Sequence, residues 1–91
     1  MVKTERIIIS GNVQGIFFRD FIKKSADALG LKGFTRNLEN GKVEVVVEGR
    51  ENEVEKMIAV CRKGAPHTSV RELEIQELGN QGYSEFKILH F

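Results

Sequence analysis

Cysteine is almost absent from this chain. Cys61 is the only one in 91 residues, so no intrachain disulfide can form, and the chain suits a reducing cytosol. An excess of one charge is missing too: fourteen Lys and Arg stand against thirteen Asp and Glu, for a net charge of +1. So weak a field recruits neither nucleic acid nor an anionic membrane, and any anion site must be local. The longest apolar runs fall far short of the ~20 residues that span a bilayer. The N-terminus sets Lys3, Glu5 and Arg6 around a very short apolar run, unlike a signal peptide. No group of His, Cys or carboxylates has metal-ligand spacing, so neither a built-in metal nor a cofactor is expected. These absences predict a soluble, cytoplasmic protein with no membrane or nucleic-acid partner. The length predicts one domain spanning residues 1–91, which buries somewhat over about 60% of its extended surface and needs no staples.

What is present centres on Gly11-Asn12-Val13-Gln14-Gly15-Ile16-Phe17-Phe18-Arg19. A short apolar run, Ile7-Ile8-Ile9-Ser10, precedes it, and an amphipathic segment beginning near Asp20 follows. That is a strand, a tight loop with two glycines, and a helix start. Glycine permits positive φ and close approach to the backbone, so successive N–H groups can converge on one point. A helix N-terminus adds unpaired N–H groups and partial positive charge. Together they make an anion cradle of phosphate or carboxylate size. Arg19 in the first turn opposes the helix dipole by about 0.3–1 kcal/mol unless an anion lies between them. It reads either as the bidentate half of an oxyanion clamp or as a solvated arginine whose neighbour Asp20 corrects the dipole, and physical argument alone leaves the two even.

The first strand is expected over Thr4 to Ser10, central in its sheet because its isoleucines are consecutive. Phe18, Ile22, Ala26 and Leu29 then fall at helical spacing, with Gly30 as the C′ residue and Leu31 folding back as its apolar partner. Phe18 is core by this pattern, while Phe17 either walls a pocket or sits half exposed. A hairpin follows, Lys32 to Leu38 and Lys42 to Glu48. A two-residue turn at Asn40-Gly41 drives Arg36 among the valines, whereas a three-residue loop with Gly41 in αL pairs Arg36 with Glu44 and Phe34 with Val46 on the outer face. The second register buries no charge, so it is the one predicted, and it makes Phe34 and Val46 a modest contact patch on the outer face. It places Asn37 at a strand end on the helix-covered face, from which the Arg19 loop projects. Asn37 by itself also reads as a polar residue finishing a strand.

A second helix after Gly49 carries Val54, Met57, Ile58 and Cys61 on its apolar stripe, with capping-box spacing at Asn52 and Glu55. Arg62 and Lys63 suit its C-terminal end, and Gly64-Ala65-Pro66 stops it. Cys61 reads as a small buried hydrophobe rather than a nucleophile. Leu73 and Ile75 alternate with Glu72, Glu74 and Gln76 in a further strand, with Val70 out of phase as the mark of a bulge. Phe86, Ile88 and His90 are expected on one side of a closing strand, against Lys87, Leu89 and Phe91. His67 and His90 read as solvated. The element order is βαββαβ, the last region divisible into two strands. It predicts a ferredoxin-like α+β sandwich: an antiparallel sheet with two helices on one face.

The loop motif resembles the phosphate-binding signature of the acylphosphatase family, and Gly33-Phe34-Thr35-Arg36-Asn37, with Gly41, Val43 and Gly49, resembles its second signature. Ile16 and Thr35 depart from the family's usual small apolar residues, which touches packing and not chemistry. The resemblance runs through essentially the whole chain. It implies hydrolysis of the carboxyl–phosphate anhydride of small acyl phosphates by a monomer, without metal. The resemblance further implies that Arg19 and loop N–H groups from Gln14, Gly15, Ile16, Phe17 and Phe18 hold phosphate, and that Asn37 orients water. A binding module without turnover, and a free-standing relative of the acylphosphatase-like head of hydrogenase-maturation carbamoyltransferases, are the alternatives. An RNA-recognition reading of Lys32-Gly33-Phe34 fails at Thr35 and Arg36, where a small residue and a stacking aromatic belong. A Walker loop fails because no Lys-Ser/Thr follows the glycines.

Overall fold

Strand β1 (Val2–Asn12) carries the three isoleucines, and their burial on both faces follows from its place inside the sheet: Ile7 and Ile9 are 0% exposed and Ile8 6%. The computed structural model describes residues 1–13 and 15–90. After β1 come α1 (Ile16–Ala28), β2 (Lys32–Asn37), β3 (Val43–Arg50), α2 (Glu51–Lys63), β4 (Ser69–Leu78) and β5 (Phe86–Ile88). The sheet order is β4-β1-β3-β2-β5. Ile7 and Ile9 lie opposite Val45 and Val43. Phe18, Ile22 and Ala26 of α1 and Val54, Met57 and Cys61 of α2 close over them to form the buried core. Both helices therefore cover one face, as the sandwich requires. Fully burying side chains such as Phe18 or Ile22 contributes about 1.5–3 kcal/mol each.

The hairpin adopts the predicted register. Arg36 pairs with Glu44, Phe34 with Val46 and Asn37 with Val43. Leu38 N–H donates to the Lys42 carbonyl at 2.8 Å, and Gly41 sits at φ 85°. The Thr35 hydroxyl, the departure noted in the second signature, is fully buried and donates to the Glu44 carbonyl at 2.9 Å. At the end of α1, Gly30 N–H bonds the Asp27 carbonyl and Leu31 N–H the Ala26 carbonyl, a Schellman closure that turns Leu31 into the core. The bulge near Val70 is present: the β1–β4 register shifts between Ser10 and Gly11, so that Arg71 has no partner opposite it.

Four expectations are corrected. First, the sheet is mixed: β5 runs parallel to β2, while the other pairings are antiparallel. Second, α1 begins at Ile16 rather than near Asp20, and α2 begins at Glu51 with Arg50 as its N-cap and no side-chain cap, so Asn52 and Glu55 form no capping box. Third, the chosen register does bury charge, on the face away from the helices. Glu44 is 4% exposed and Glu48 7%. Glu44 is held between the guanidiniums of Arg6 and Arg36, each Nε 2.5 Å from one carboxylate oxygen. Glu48 accepts from the Thr4 hydroxyl and from the backbone N–H groups of Gln81, Gly82 and Tyr83. Finally, Phe34 and Val46 form no open contact patch. Val46 is 2% exposed, and the Tyr83 ring meets Phe34 edge-on at 6.0 Å. Among the described residues no helix is long and apolar enough to cross a membrane.

Candidate active site

Val13, fully buried, pins the chain where it leaves β1. Gln14 and Phe91, and the expectations attached to them, lie outside the described residues. Gly15 then caps α1 at φ 109°, ψ 166°, a backbone conformation that a side chain would strain. Its carbonyl takes the Arg19 N–H at 3.5 Å, so the N–H groups of Ile16, Phe17 and Phe18 come before the first intrahelical bond. Gly11 is not part of this cradle. It lies within β1 beside the bulge, where a Cβ would stand 2.0 Å from the Ser69 carbonyl oxygen, so its glycine serves strand packing.

Charge sets α1 apart. The two helices have 13 residues each and neither has a side-chain N-cap. Helix α2 has Glu51 and Glu53 in its first turn and Arg62 and Lys63 in its last, which complements its dipole. Helix α1 has no acid in its first turn and no base in its last. Asp20 does not correct it, being paired with Lys24 at 3.0 Å. The first turn of α1 therefore carries no acid and one base, Arg19.

Arg19, Asn37, Leu89 and His90 line a cleft of about 280 Å³. Two buried polar atoms on its walls, Arg19 Nε and Asn37 Oδ1, have no hydrogen-bond partner among the described residues. Buried polar groups are normally satisfied because leaving one unpaired costs about 1–3 kcal/mol. A donor and an acceptor left open in one cleft fit a ligand that both accepts and donates. The third such atom, Glu5 Oε2, lies further back along β1, and its partner oxygen Oε1 pairs with Lys3 at 3.4 Å. Clefts of about 470 and 490 Å³ elsewhere contain none of the three atoms. A cleft of about 510 Å³, lined by Arg36, Leu38, Glu39 and Asn40, adjoins the site through Asn37.

The structure thus brings Arg19 and Asn37 together as the sequence predicted. It does not bring the loop side chains with them. Phe18 is 1% exposed in the core, Ile16 is 52% exposed, and Phe17 is 87% exposed and lines no part of the cleft. Only the backbone of these residues can serve an anion here. Leu89 and His90 are the site residues that sequence reading missed. Phe86 is level with Gly33 and Ile88 with Thr35, so two further residues of the same parallel register place His90 beside Asn37. An antiparallel strand would have carried it away, which is why the expected sheet hid it.

Cys61 takes no part: it is buried, and burial pushes its thiol up to about 12. Among the described residues no group of three or more His, Cys, Asp or Glu is placed to hold a metal ion.

The profile of the acylphosphatase family matches residues 5–88 of this chain. An acylphosphatase of Rubrobacter xylanophilus is 43% identical over 82% of this chain and 68% of its own length. One from Syntrophus aciditrophicus is 41% identical over 99% of this chain and 95% of its own. The crystal structure of acylphosphatase from Bacillus subtilis superimposes with a TM-score of 0.92 at 33% identity, covering 98% of this chain and 99% of that one.

Proposed function

This chain belongs to the acylphosphatase family and hydrolyses acyl phosphates, and on that premise we propose how its residues divide the work. The N–H groups of Gly15, Ile16, Phe17 and Phe18, with that of Gln14, hold phosphoryl oxygens at the positive end of α1. The Arg19 guanidinium closes the clamp from the cleft wall, with Nε and a terminal nitrogen donating to two oxygens. Asn37 accepts a hydrogen bond from water through Oδ1 and aims its oxygen at phosphorus, in line with the departing carboxylate. The acyl part extends into the adjoining cleft of Arg36, Leu38, Glu39 and Asn40.

This chemistry asks little of the protein beyond position and charge. The P–O bond to the acyl oxygen breaks, the water oxygen bonds phosphorus, and the leaving carboxylate needs no proton. The water's proton passes to a phosphoryl oxygen of the substrate. Placing the water and stabilising the charge spread over the phosphoryl oxygens therefore suffice, with neither a metal nor a protein base. The observation that carries these assignments is the pair of orphaned atoms, one donor and one acceptor, at one cleft. We place the enzyme in the cytoplasm as a monomeric single domain. The covering of Phe34 by Tyr83, which removes the outer-face contact patch, supports the monomer.

Hydrolysis of benzoyl phosphate in EDTA tests the assignment. Turnover by wild type, lost in both folded Arg19→Ala and Asn37→Ala, is expected. Full activity in Arg19→Ala would remove the clamp, and full activity in Asn37→Ala would remove the water-positioning role.

A further inference from the structure

His90 stands at the cleft without a role in the steps above. Its Nδ1 lies 3.4 Å from Nη1 of Arg19, across 71 residues of chain. The ring is exposed, so the core does not need it. We propose that His90 is a positioning residue for Arg19: the neutral ring accepts from Nη1 and turns the planar guanidinium so that Nε faces the cleft. Because the guanidinium is a rigid fork, fixing one terminal nitrogen fixes the direction of the other donors.

The proposal makes Arg19 sensitive to acid. Nδ1 accepts only while it carries no proton; once it does, both ring nitrogens donate and the ring is a cation facing a cation. Among the described residues lining the cleft, none carries a negative charge to offset it. From α1 the ring meets Arg19, from β2 the uncharged Asn37, and beside it stands Leu89. The nearby charges on α1 are engaged elsewhere: Asp20 with Lys24, and Lys23 with Asp27 and the Phe86 carbonyl. A bound phosphoryl group supplies the missing negative charge, so protonation disturbs the free enzyme more than the complex. Its effect falls on kcat/KM, which reports the free enzyme, and spares kcat.

The inference rests on Arg19 binding the phosphoryl group, and the experiment separates the two. Benzoyl phosphate kinetics are followed against pH for wild type, His90→Gln, His90→Ala and Arg19→Ala. Glutamine keeps an acceptor that does not titrate. Titration of the substrate cancels in ratios between variants. At neutral pH His90→Ala lowers kcat/KM by about three- to tenfold, the worth of one ordinary hydrogen bond, and His90→Gln restores most of it. On acidification the ratio of wild type to His90→Gln falls in kcat/KM and holds in kcat. Wild-type kinetics in His90→Ala, or a kcat/KM ratio that is flat or rises in acid, would overturn the proposal. If Arg19→Ala is inactive alongside such a result, His90 alone has been misread. If Arg19→Ala is fully active, the clamp has failed first.

Discussion

Two sets of buried polar atoms divide this molecule. On the open face of the sheet, Glu44 and Glu48 are as buried as core residues and fully matched from within the chain. On the helix side, at the end of β2, Arg19 Nε and Asn37 Oδ1 are buried and matched by nothing among the described residues. Desolvation raises the cost of any polar group, and the first set meets that cost with internal partners. The second leaves it standing in the native state. Glu5 Oε2 is also buried and unmatched but lies away from the cleft, so what singles out Arg19 and Asn37 is a donor and an acceptor left open together in one cleft.

Substitutions should divide along the same line. The largest effect is expected from Arg19→Lys, which keeps the charge and loses the fork: kcat/KM falls by about 100-fold or more, with thermal stability nearly unchanged. A destabilised but active Arg19→Lys would break the comparison. Asn37→Ala comes next, lowering kcat by about 10- to 100-fold with little change in KM, as the water-orienting role proposed for it requires. Glu48→Gln should do the reverse. It loses about 1–3 kcal/mol in urea unfolding at neutral pH, with kcat intact.

Acid gives the same contrast without mutation. For Glu48, burial pushes its pKa up, but the hydrogen bonds from Thr4 and from the backbone of residues 81–83 outweigh it and hold the carboxyl below its ordinary range. For Glu44, burial is likewise overcome by Arg36 and Arg6. A carboxylate with a lowered native pKa contributes stability in full above its unfolded value of about 4.3, and the contribution drains away as pH falls through the native value. The stability gap between wild type and Glu48→Gln should therefore narrow below about pH 4, and a gap that widened there would refute the account.

The smallest effect tests the two helix starts. Ile16→Glu gives α1 the first-turn acid that α2 has in Glu51. Stability should rise by about 0.3–1 kcal/mol while inhibition by inorganic phosphate weakens. Tighter phosphate inhibition in this variant would contradict an anion site at the start of α1.

Much of this was legible in the sequence, for local reasons. The hairpin register followed from keeping Arg36 off the valine face, and with it came the placement of Asn37 on the Arg19 side. The start of α1 was misjudged because Ile16 and Phe17, both apolar, face solvent and give no amphipathic signal. The burial of Glu44 and Glu48 was illegible because it needs remote partners beyond the hairpin's own Arg36: Arg6 is 38 residues from Glu44, and Gln81 is 33 from Glu48. The direction of β5 is a property of tertiary pairing, since three residues carry no arrow in their pattern. His90 was lost with it.

The edge contact between Phe34 and Tyr83 has an optical consequence. The chain has no tryptophan and one tyrosine, so near-ultraviolet emission beyond the weak phenylalanine signal comes from Tyr83 alone. That fluorophore sits on the segment whose N–H groups grip Glu48, far in role from the cleft. Fluorescence will follow the docking of residues 81–83, so the molecule carries an intrinsic label for its scaffold.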